Sequence, residues 1–531
     1  MKQSAFFILC TFIEALKAFL FVMTPVQLGC FIDNLINKRS PLGSLLLLIT
    51  IAGINLILHI VSDYAFQKYG RFQERILREK MLQHLCHLPL LRIDNYANGE
   101  LMLKFFRDAD AYGRYLSNFI PQFLAALFSI IAAIIVAACK NSMIACLYIL
   151  LLPLLLLLLR PYKNIFSRLN HAIRTLYDRT MNSLFEFAHI LPFLRSLNAE
   201  SPYIQNASKK FDYIRNIHWL NDRGTVSFKA LNKIILYTGE YGILTIAGYY
   251  AWQDQIPIGD VVVFQVLFLS ILNALTGIFQ LLPSWEGIKE SKKSLNELFS
   301  IPQTDNLPDA ISLTEKIKSI ELRNVSFHYT EEREIFTNYN CKITRGMVVA
   351  LSGENGTGKT TLLRLLTGYL QPQEGNVYIN GHVITHWKLE TFRNKIAAVF
   401  QDSLLISGTL WDNITLKNNT YSAADIECAL KQSGADSLVK RLPNGIYHKI
   451  GPDGSGLSGG ERQKVAIARA LIRKPEFLIF DEVTNHLDYD SRLKMRDLIN
   501  SLRGHVTIFL VSHDPELIAL CDKQITIHHG G

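Results

Sequence analysis

The residues Gly353 to Thr361 read GENGTGKTT and fit the spacing G-x-x-x-x-G-K-[ST]. Glycines at those intervals let successive backbone N–H groups close around phosphate oxygens, while a lysine reaches the outer phosphates and a hydroxyl meets a magnesium ion. Lys359 and Thr360 hold the two side-chain positions, and Glu354, Asn355, Thr357 and Thr361 complete the loop around Gly353, Gly356 and Gly358. The stretch should bind a nucleoside triphosphate with Mg²⁺. Downstream, FLIFDE (Phe477 to Glu482) is an apolar run ending in two carboxylates, where open α/β sheets deliver catalytic groups. Asp481 is placed to hold Mg²⁺ and Glu482 to polarise an attacking water. LSGGE (Leu457 to Glu461) opens a helix that stops at Pro475. With Ser458, Gly459 and Gly460 at its start, that helix is a second anion site.

These groups need elements to hold them. MVVALSG (Met347 to Gly353) is a short β-prone run and TLLRLLTGYL (Thr361 to Leu370) has helical spacing, so the phosphate loop joins a strand to a helix N-terminus. From about Ile317, β-prone runs (SIELRNVSFHY, MVVALSG, NVYIN, IAAVF, FLIFDE, VTIFLVS, QITIH) alternate with helical ones (AADIECALKQ, ERQKVAIARALIR, DSRLKMRDLIN). That alternation implies a largely parallel sheet covered by helices.

The preceding half of the chain has another texture. Of 531 residues 49% are hydrophobic and only 19% charged, a balance foreign to soluble proteins of this size. A bilayer crossing takes about 20 helical residues, and six stretches are long enough: 5–27, 42–64, 116–138, 142–160, 233–252 and 260–283. The apolar run from Ala5 has no small-residue cleavage site, so it reads as a first span and not a signal peptide. Linkers after the second and fourth spans are long and rich in Lys and Arg, whereas the short ones hold only Lys38, Arg39 and Lys140. The positive-inside rule puts the long linkers, the nucleotide site and both termini in the cytoplasm. The net charge of +9 is accounted for in this way, without a basic block of the kind that binds nucleic acid. The eight cysteines are scattered without metal-ligand spacing and read as packing residues.

Runs such as YGRFQERILREKMLQHL (Tyr69 to Leu85) keep apolar residues near 3.6 spacing, so the helices continue into the cytosol. Leu88 to Glu100 and Glu186 to Glu200 carry Pro or Asn and are expected to form short cross-pieces at the tips of two hairpins, touching the nucleotide domain. The division is then 1–300 transmembrane, 301–316 linker and 317–531 nucleotide-binding.

Taken together, GENGTGKTT, LSGGERQ and FLIFDE behind six spans make the chain resemble the ATP-binding cassette (ABC) family, as an exporter half-transporter in the cell membrane. The resemblance covers nearly the whole chain. It implies a multi-domain protein, a six-helix transmembrane domain followed by an α/β P-loop ATPase domain, with ATP and Mg²⁺ as cofactors. It further implies that two cassettes face each other head to tail, so that LSGGE of one chain completes the site of another. On the same ground Gln401 in VFQD links the γ-phosphate and Mg²⁺ to the membrane domain and His513 in LVSHD contacts the γ-phosphate. Asp488 in NHLD faces the dimer interface and Tyr329 in VSFHY lies under adenine. The sequence departs from the pattern where Pro452 stands for a usual glutamate and where NHLD takes a form also found in soluble members. The leading and trailing helices look shortened, and no cysteine-protease segment precedes the first span, so the chain is not expected to trim a leader peptide. The complete catalytic set favours a homodimer, with a heterodimer as the alternative.

Charged residues inside spans usually face a cavity or a partner. Glu14 and Lys17 can meet on one helix face, which reads equally as a structural pair and as a cargo contact. Glu240, between Tyr237 and Tyr241, has no partner in its own helix and is a candidate to face cargo, with Asn55, His59 and Asn273 behind it. Such a cavity suits an amphipathic small molecule or peptide: an antimicrobial or modified peptide, a lipid or a drug. Two other classes compete. A soluble ATPase of the superfamily is disfavoured by six spans, and a channel that uses ATP only as a ligand is separated by substrate-stimulated hydrolysis.

Overall fold

The computed structural model describes residues 2–89, 93, 101, 104–303, 310–330, 333–354, 356–401, 403–484 and 487–528; within these, some side chains, among them those of 154–167, lie outside the description. The chain divides into two compact units, Met1–Cys86 with Asn95–Pro302, and His87–Asp94 with Gln303–Gly531.

Among the described residues the first unit is built from six long helical stretches. They are α1 (Lys2–Ile36), α2 (Leu42–Cys86), α3 (Ile120–Lys140), α4 (Ser142–Ser196), α5 (Glu200–Trp252) and α6 (Ile258–Ser300). A helical run from Lys104 leads into α3, π-helical at Lys104–Asp108 and Tyr115–Phe119. Among the described residues four helical stretches are long and apolar enough to cross a bilayer: Phe6–Ile36, Leu42–Cys86, Lys104–Lys140 and Ile258–Leu281. The expected fourth and fifth spans fall within α4 and α5, and in α4 the described apolar part is Ser142–Pro153. On α2 the side chains of Leu46, Ile49, Leu56, Ile57 and Ile60 are exposed, an apolar surface that needs lipid to cover it.

Polar groups tie the helices where apolar packing alone has no direction. Glu14 accepts hydrogen bonds from Lys17 at 2.8 Å and from Ser62 of α2, all three buried. This is the structural pair that the spacing allowed. At the other end of α1, Asp33 accepts from the backbone N–H of Gly259 at 2.7 Å. Lys140 pairs with Asp260, and Asn141 caps α4 by accepting from Met143 and Ile144. α1 and α6 approach so closely there that a Cβ on Gly259 would stand 2.2 Å from the carbonyl oxygen of Gly29, the small-residue contact that lets membrane helices pack backbone to backbone.

The expected cross-piece between α4 and α5 is absent. α4 runs through Pro192 to Ser196, and α5 begins at Glu200 after a turn at Leu197–Ala199. A proline inside a helix removes one hydrogen bond and kinks it without obliging it to end, and the face packed along α5 carries the helix past that point. Of the other expected cross-piece, residues 90–92 and 94–100 lie outside the described residues.

In the second unit the strands are β1 (Ser319–Thr330), β2 (Arg333–Thr344), β3 (Val348–Gly353), β4 (Glu374–Ile379), β5 (His382–Val383), β6 (Ile396–Val399), β7 (Gly408–Thr409), β8 (Lys449–Ile450), β9 (Phe477–Asp481), β10 (Thr507–Val511) and β11 (Lys523–Ile527). The parallel sheet that the alternation predicts is present, in the order β11-β3-β10-β9-β6. β9 and β10 are buried along their whole length, as parallel strands covered on both faces must be. Beside it stands an antiparallel sheet, β2-β1-β4-β5, which the alternation did not predict. β2, REIFTNYNCKIT, carries polar residues through its middle and no apolar run to announce it.

One buried node fixes the segment that follows β6. The Asn413 side chain, fully buried, donates to the carbonyls of Ile406 and Thr409 and accepts from the Ile406 N–H. Arg469 donates to Asn413 Oδ1, to the Asn413 carbonyl and to the Leu404 carbonyl. Arg469 lies on the helix Gly459–Leu471, so that helix and the segment 404–413 are held as one piece.

Two substitutions test these ties. Gly259→Ala should cost about 2 kcal/mol through overpacking and lower the unfolding temperature of the purified chain. Gly248→Ala, whose Cβ would meet nothing within 4 Å, should not lower it. Asn413→Ala removes one of the three hydrogen bonds of Arg469 and the side-chain partner of three backbone groups, and should destabilise the second unit by about 2–4 kcal/mol. Equal denaturation midpoints for Asn413→Ala and the parent would remove the node.

Candidate functional site

A parallel sheet puts the C-terminal ends of its strands along one edge. The register pairs Leu351 of β3 and Asp481 of β9 with Val511 of β10, and Val399 of β6 with Phe480. The residues just past those ends are Gly353, Glu482, His513 and Gln401, so four separate stretches of sequence meet at one edge.

The phosphate loop leaves β3 at Gly353 and enters α7 (Lys359–Leu366). Gly353, Gly356 and Gly358 have φ of +155°, +84° and +104°, values that a side chain opposes. At Gly358 space forbids one as well, since a Cβ would stand 2.5 Å from Ile335. Lys359 is buried and turns back across the loop, donating to the carbonyls of Gly353 at 2.7 Å and Glu354 at 3.2 Å. Thr357 closes the loop on the Glu354 carbonyl at 2.9 Å, and Thr360 is exposed. Tyr329, near the end of β1, lies at the rim, its hydroxyl 3.2 Å from that of Thr361 and its ring edge-on to Phe327. Asn355 lies outside the described residues.

Asp481 is buried at the end of β9. Burial, and then the neighbouring Glu482 carboxylate, push its carboxyl up to about 6, while Lys359 pulls the other way. Glu482 holds a left-handed backbone with φ +49°, a strain of about 1 to 3 kcal/mol of the kind found where a side chain must be aimed. Its N–H donates to the Val511 carbonyl at 2.9 Å, which fixes it to β10. His513, largely exposed, places Nε2 3.9 Å from Glu482 Oε1. Gln401 is exposed two residues past β6.

The helix α8 (Gly459–Leu471) is capped by Ser458, whose hydroxyl accepts from Glu461 N–H while Glu461 accepts from Ser458 N–H. Asp488 caps α9 (Tyr489–Leu502) by accepting from Ser491 N–H at 2.9 Å, and Ser491, through its hydroxyl first and then this N–H, holds the carboxyl below the usual range. Ser458, Gly459, Gly460, Glu461 and Asp488 share a cleft of about 570 Å³ with Arg441 and Lys464. None of the phosphate-loop residues is among its described lining. Sequence reading passed over Arg441, which pairs with Glu461. It lies in no motif, and only the fold brings it to the signature helix. Asn485 and His486 lie outside the described residues, and Pro452 stands exposed in a 3₁₀ turn.

Residues 7–275 match the family model described as ABC transporter transmembrane region, and residues 336–485 match ABC transporter. An ATP-dependent lipid A-core flippase of Desulfotalea psychrophila is 26% identical, covering 89% of this chain and 83% of its own. A multidrug resistance ABC transporter ATP-binding and permease protein of Lactococcus lactis is 24% identical over 88% of this chain and 80% of its own. A solved bacterial Atm1-family ABC exporter with ATP bound has the same fold, with a TM-score of 0.87 at 22% identity, over 100% of this chain and 94% of that one. The chain belongs to the ABC transporter family, as an exporter with its multi-pass transmembrane region fused ahead of one ATP-binding cassette.

Proposed function

We propose that this chain exports an amphipathic substrate by alternating access, driven by ATP and acting as a dimer of identical half-transporters. Residues 1–300 form the membrane portion with six spans, 301–316 the linker and 317–531 the cassette, the cassette and both termini being cytoplasmic by the distribution of Lys and Arg. The observation that carries the reading is the separation of two half-sites. Phosphate loop, acidic pair and His513 gather at one sheet edge, whereas the signature helix and Asp488 line a different cleft. A second copy facing the first head to tail supplies the missing half to each.

The roles follow from placement. Lys359 exchanges its two loop carbonyls for the outer phosphates, and the N–H groups from Gly353 to Thr361, Asn355 included, surround the rest. Tyr329 stacks on the base. Ser458, Gly459 and Gly460 of the partner copy, backed by Glu461, present a helix N-terminus to the γ-phosphate, and Asp488 lines the interface beside them. Glu482 polarises the attacking water, His513 contacts the γ-phosphate, and Gln401 passes its state to the membrane portion. Asp481, Thr360 and Gln401 would hold Mg²⁺: their oxygens are hard donors, and the buried Asp481 carboxyl needs a cation to ionise fully. Bound there, the ion would neutralise charge developing on the phosphates.

Relatives named for a lipid and for drugs support an amphipathic cargo, of which a modified peptide, a lipid and a drug are the classes to try. Binding moves the equilibrium only because ATP prefers the closed pair.

Glu482→Gln should leave ATP affinity within about threefold and lower turnover by roughly 10²-fold or more, measured as phosphate release by the purified chain in liposomes. Hydrolysis at the parental rate would overturn the assignment of the base.

A further inference from the structure

The first unit carries a second built cleft that the nucleotide chemistry does not use. It holds about 530 Å³ between the helical run leading into α3 and the cytoplasmic part of α6. Its polar lining includes Arg107, Arg114, Asn118, Gln122, Gln280 and Ser284, and no carboxylate is among the described lining residues. Arg107 contacts the fully buried Asp108 at 3.2 Å, and Asp108 also accepts from Ser291. Arg114 contacts Asp110 through Nε at 3.2 Å, and Asp110 is shared with Arg71. Each acid is thus divided between partners. The wall offers positive charge and amide hydrogen bonds.

Phe119 brings one aromatic ring to the cleft lining, beside Leu281 and Ile288. Trp285 stacks on Phe119 at 5.3 Å and lies 6.1 Å from Tyr115, and Phe119 stacks parallel to Phe123, which is half-exposed. Arg107 and Arg114 precede the expected third span, 116–138, while Gln122, Phe123 and Gln280 lie within the third and sixth spans. The cleft therefore crosses the level at which water gives way to hydrocarbon, with its charge at the wet end. Arg107 belongs to one π-helical stretch, and Asn118 and Phe119 to the other. Such widened turns are uncommon and concentrate at functional sites. Glu240, in contrast, receives a hydrogen bond from Gln265 at 2.9 Å.

Resting on the exporter reading above, we infer that this cleft receives the cargo and that the cargo is an anionic amphiphile. Arg107 and Arg114, with Gln122 and Gln280, hold its phosphate or carboxylate head, and its apolar part lies along Phe119 and Leu281. A planar fork of donors suits either oxyanion.

Equilibrium dialysis of the full chain in phosphatidylcholine nanodiscs, with labelled n-octyl phosphate, n-octanoate and octyltrimethylammonium, tests this. At least one of the two anions should bind about tenfold or more tightly than the cation, and whichever is tighter identifies the head. The double variant Arg107→Gln with Arg114→Gln should weaken anion binding about tenfold, and the corresponding Lys variant should retain most of it. Gln280→Glu, which leaves both arginines in place, should weaken the anions and favour the cation. ATP affinity measured on each variant shows that it has folded. A cation that binds as tightly as both anions, or arginine variants with parental affinity, would overturn the inference. Because neither transport nor hydrolysis is read, that result beside an intact ATP cycle would remove the anion and leave the exporter standing.

Discussion

A triphosphate concentrates negative charge that only convergent donors can hold away from water, and the cassette meets that demand with one edge of one parallel sheet. β3, β6, β9 and β10 run side by side in register, so their C-terminal ends bring Gly353, Gln401, Asp481, Glu482 and His513 together from positions far apart in sequence. Everything else in that unit keeps the edge rigid. Strands buried on both faces fix the ends, Gly358 allows α7 to pack against Ile335, and the Val511 carbonyl holds Glu482 in a left-handed conformation.

On the proposed reading, the same economy leaves each site to be completed by a second copy. The helix α8 has its own capping box and its own cleft, and the Arg469–Asn413 node ties it to the segment after Gln401. On the roles proposed for Gln401 and for α8, a change at the γ-phosphate would be passed toward a segment, 404–413, that this node holds as one piece with that helix.

What the sequence disclosed follows from how local each signal is. The phosphate loop, the acidic pair and the signature helix are short, and their residue types are dictated by backbone geometry or by charge, so GENGTGKTT, FLIFDE and LSGGE could be read directly. The spans were legible because about 20 apolar residues in a row match the thickness of a bilayer and are seldom needed inside a water-soluble core. β2 escaped because an edge strand that buries only Ile335, Phe336, Cys341 and Ile343 among its described residues needs no continuous apolar run. The expected cross-piece after α4 failed because a proline signal is local, whereas packing along α5 is not. The arginine cleft was invisible for a similar reason: Arg107 and Arg114 counted only as positive-inside charges until α6 brought Gln280 and Trp285 opposite them.

The central claim is that a nucleotide site is completed by a second copy. In a Glu482→Gln background, one tagged chain carries Lys359→Ala and a differently tagged chain carries Ser458→Arg. Sites shared between chains predict that the purified mixed pair occludes one ATP per two chains while each variant alone occludes none. A mixed pair that traps no nucleotide, although both chains are folded and associated, would contradict it.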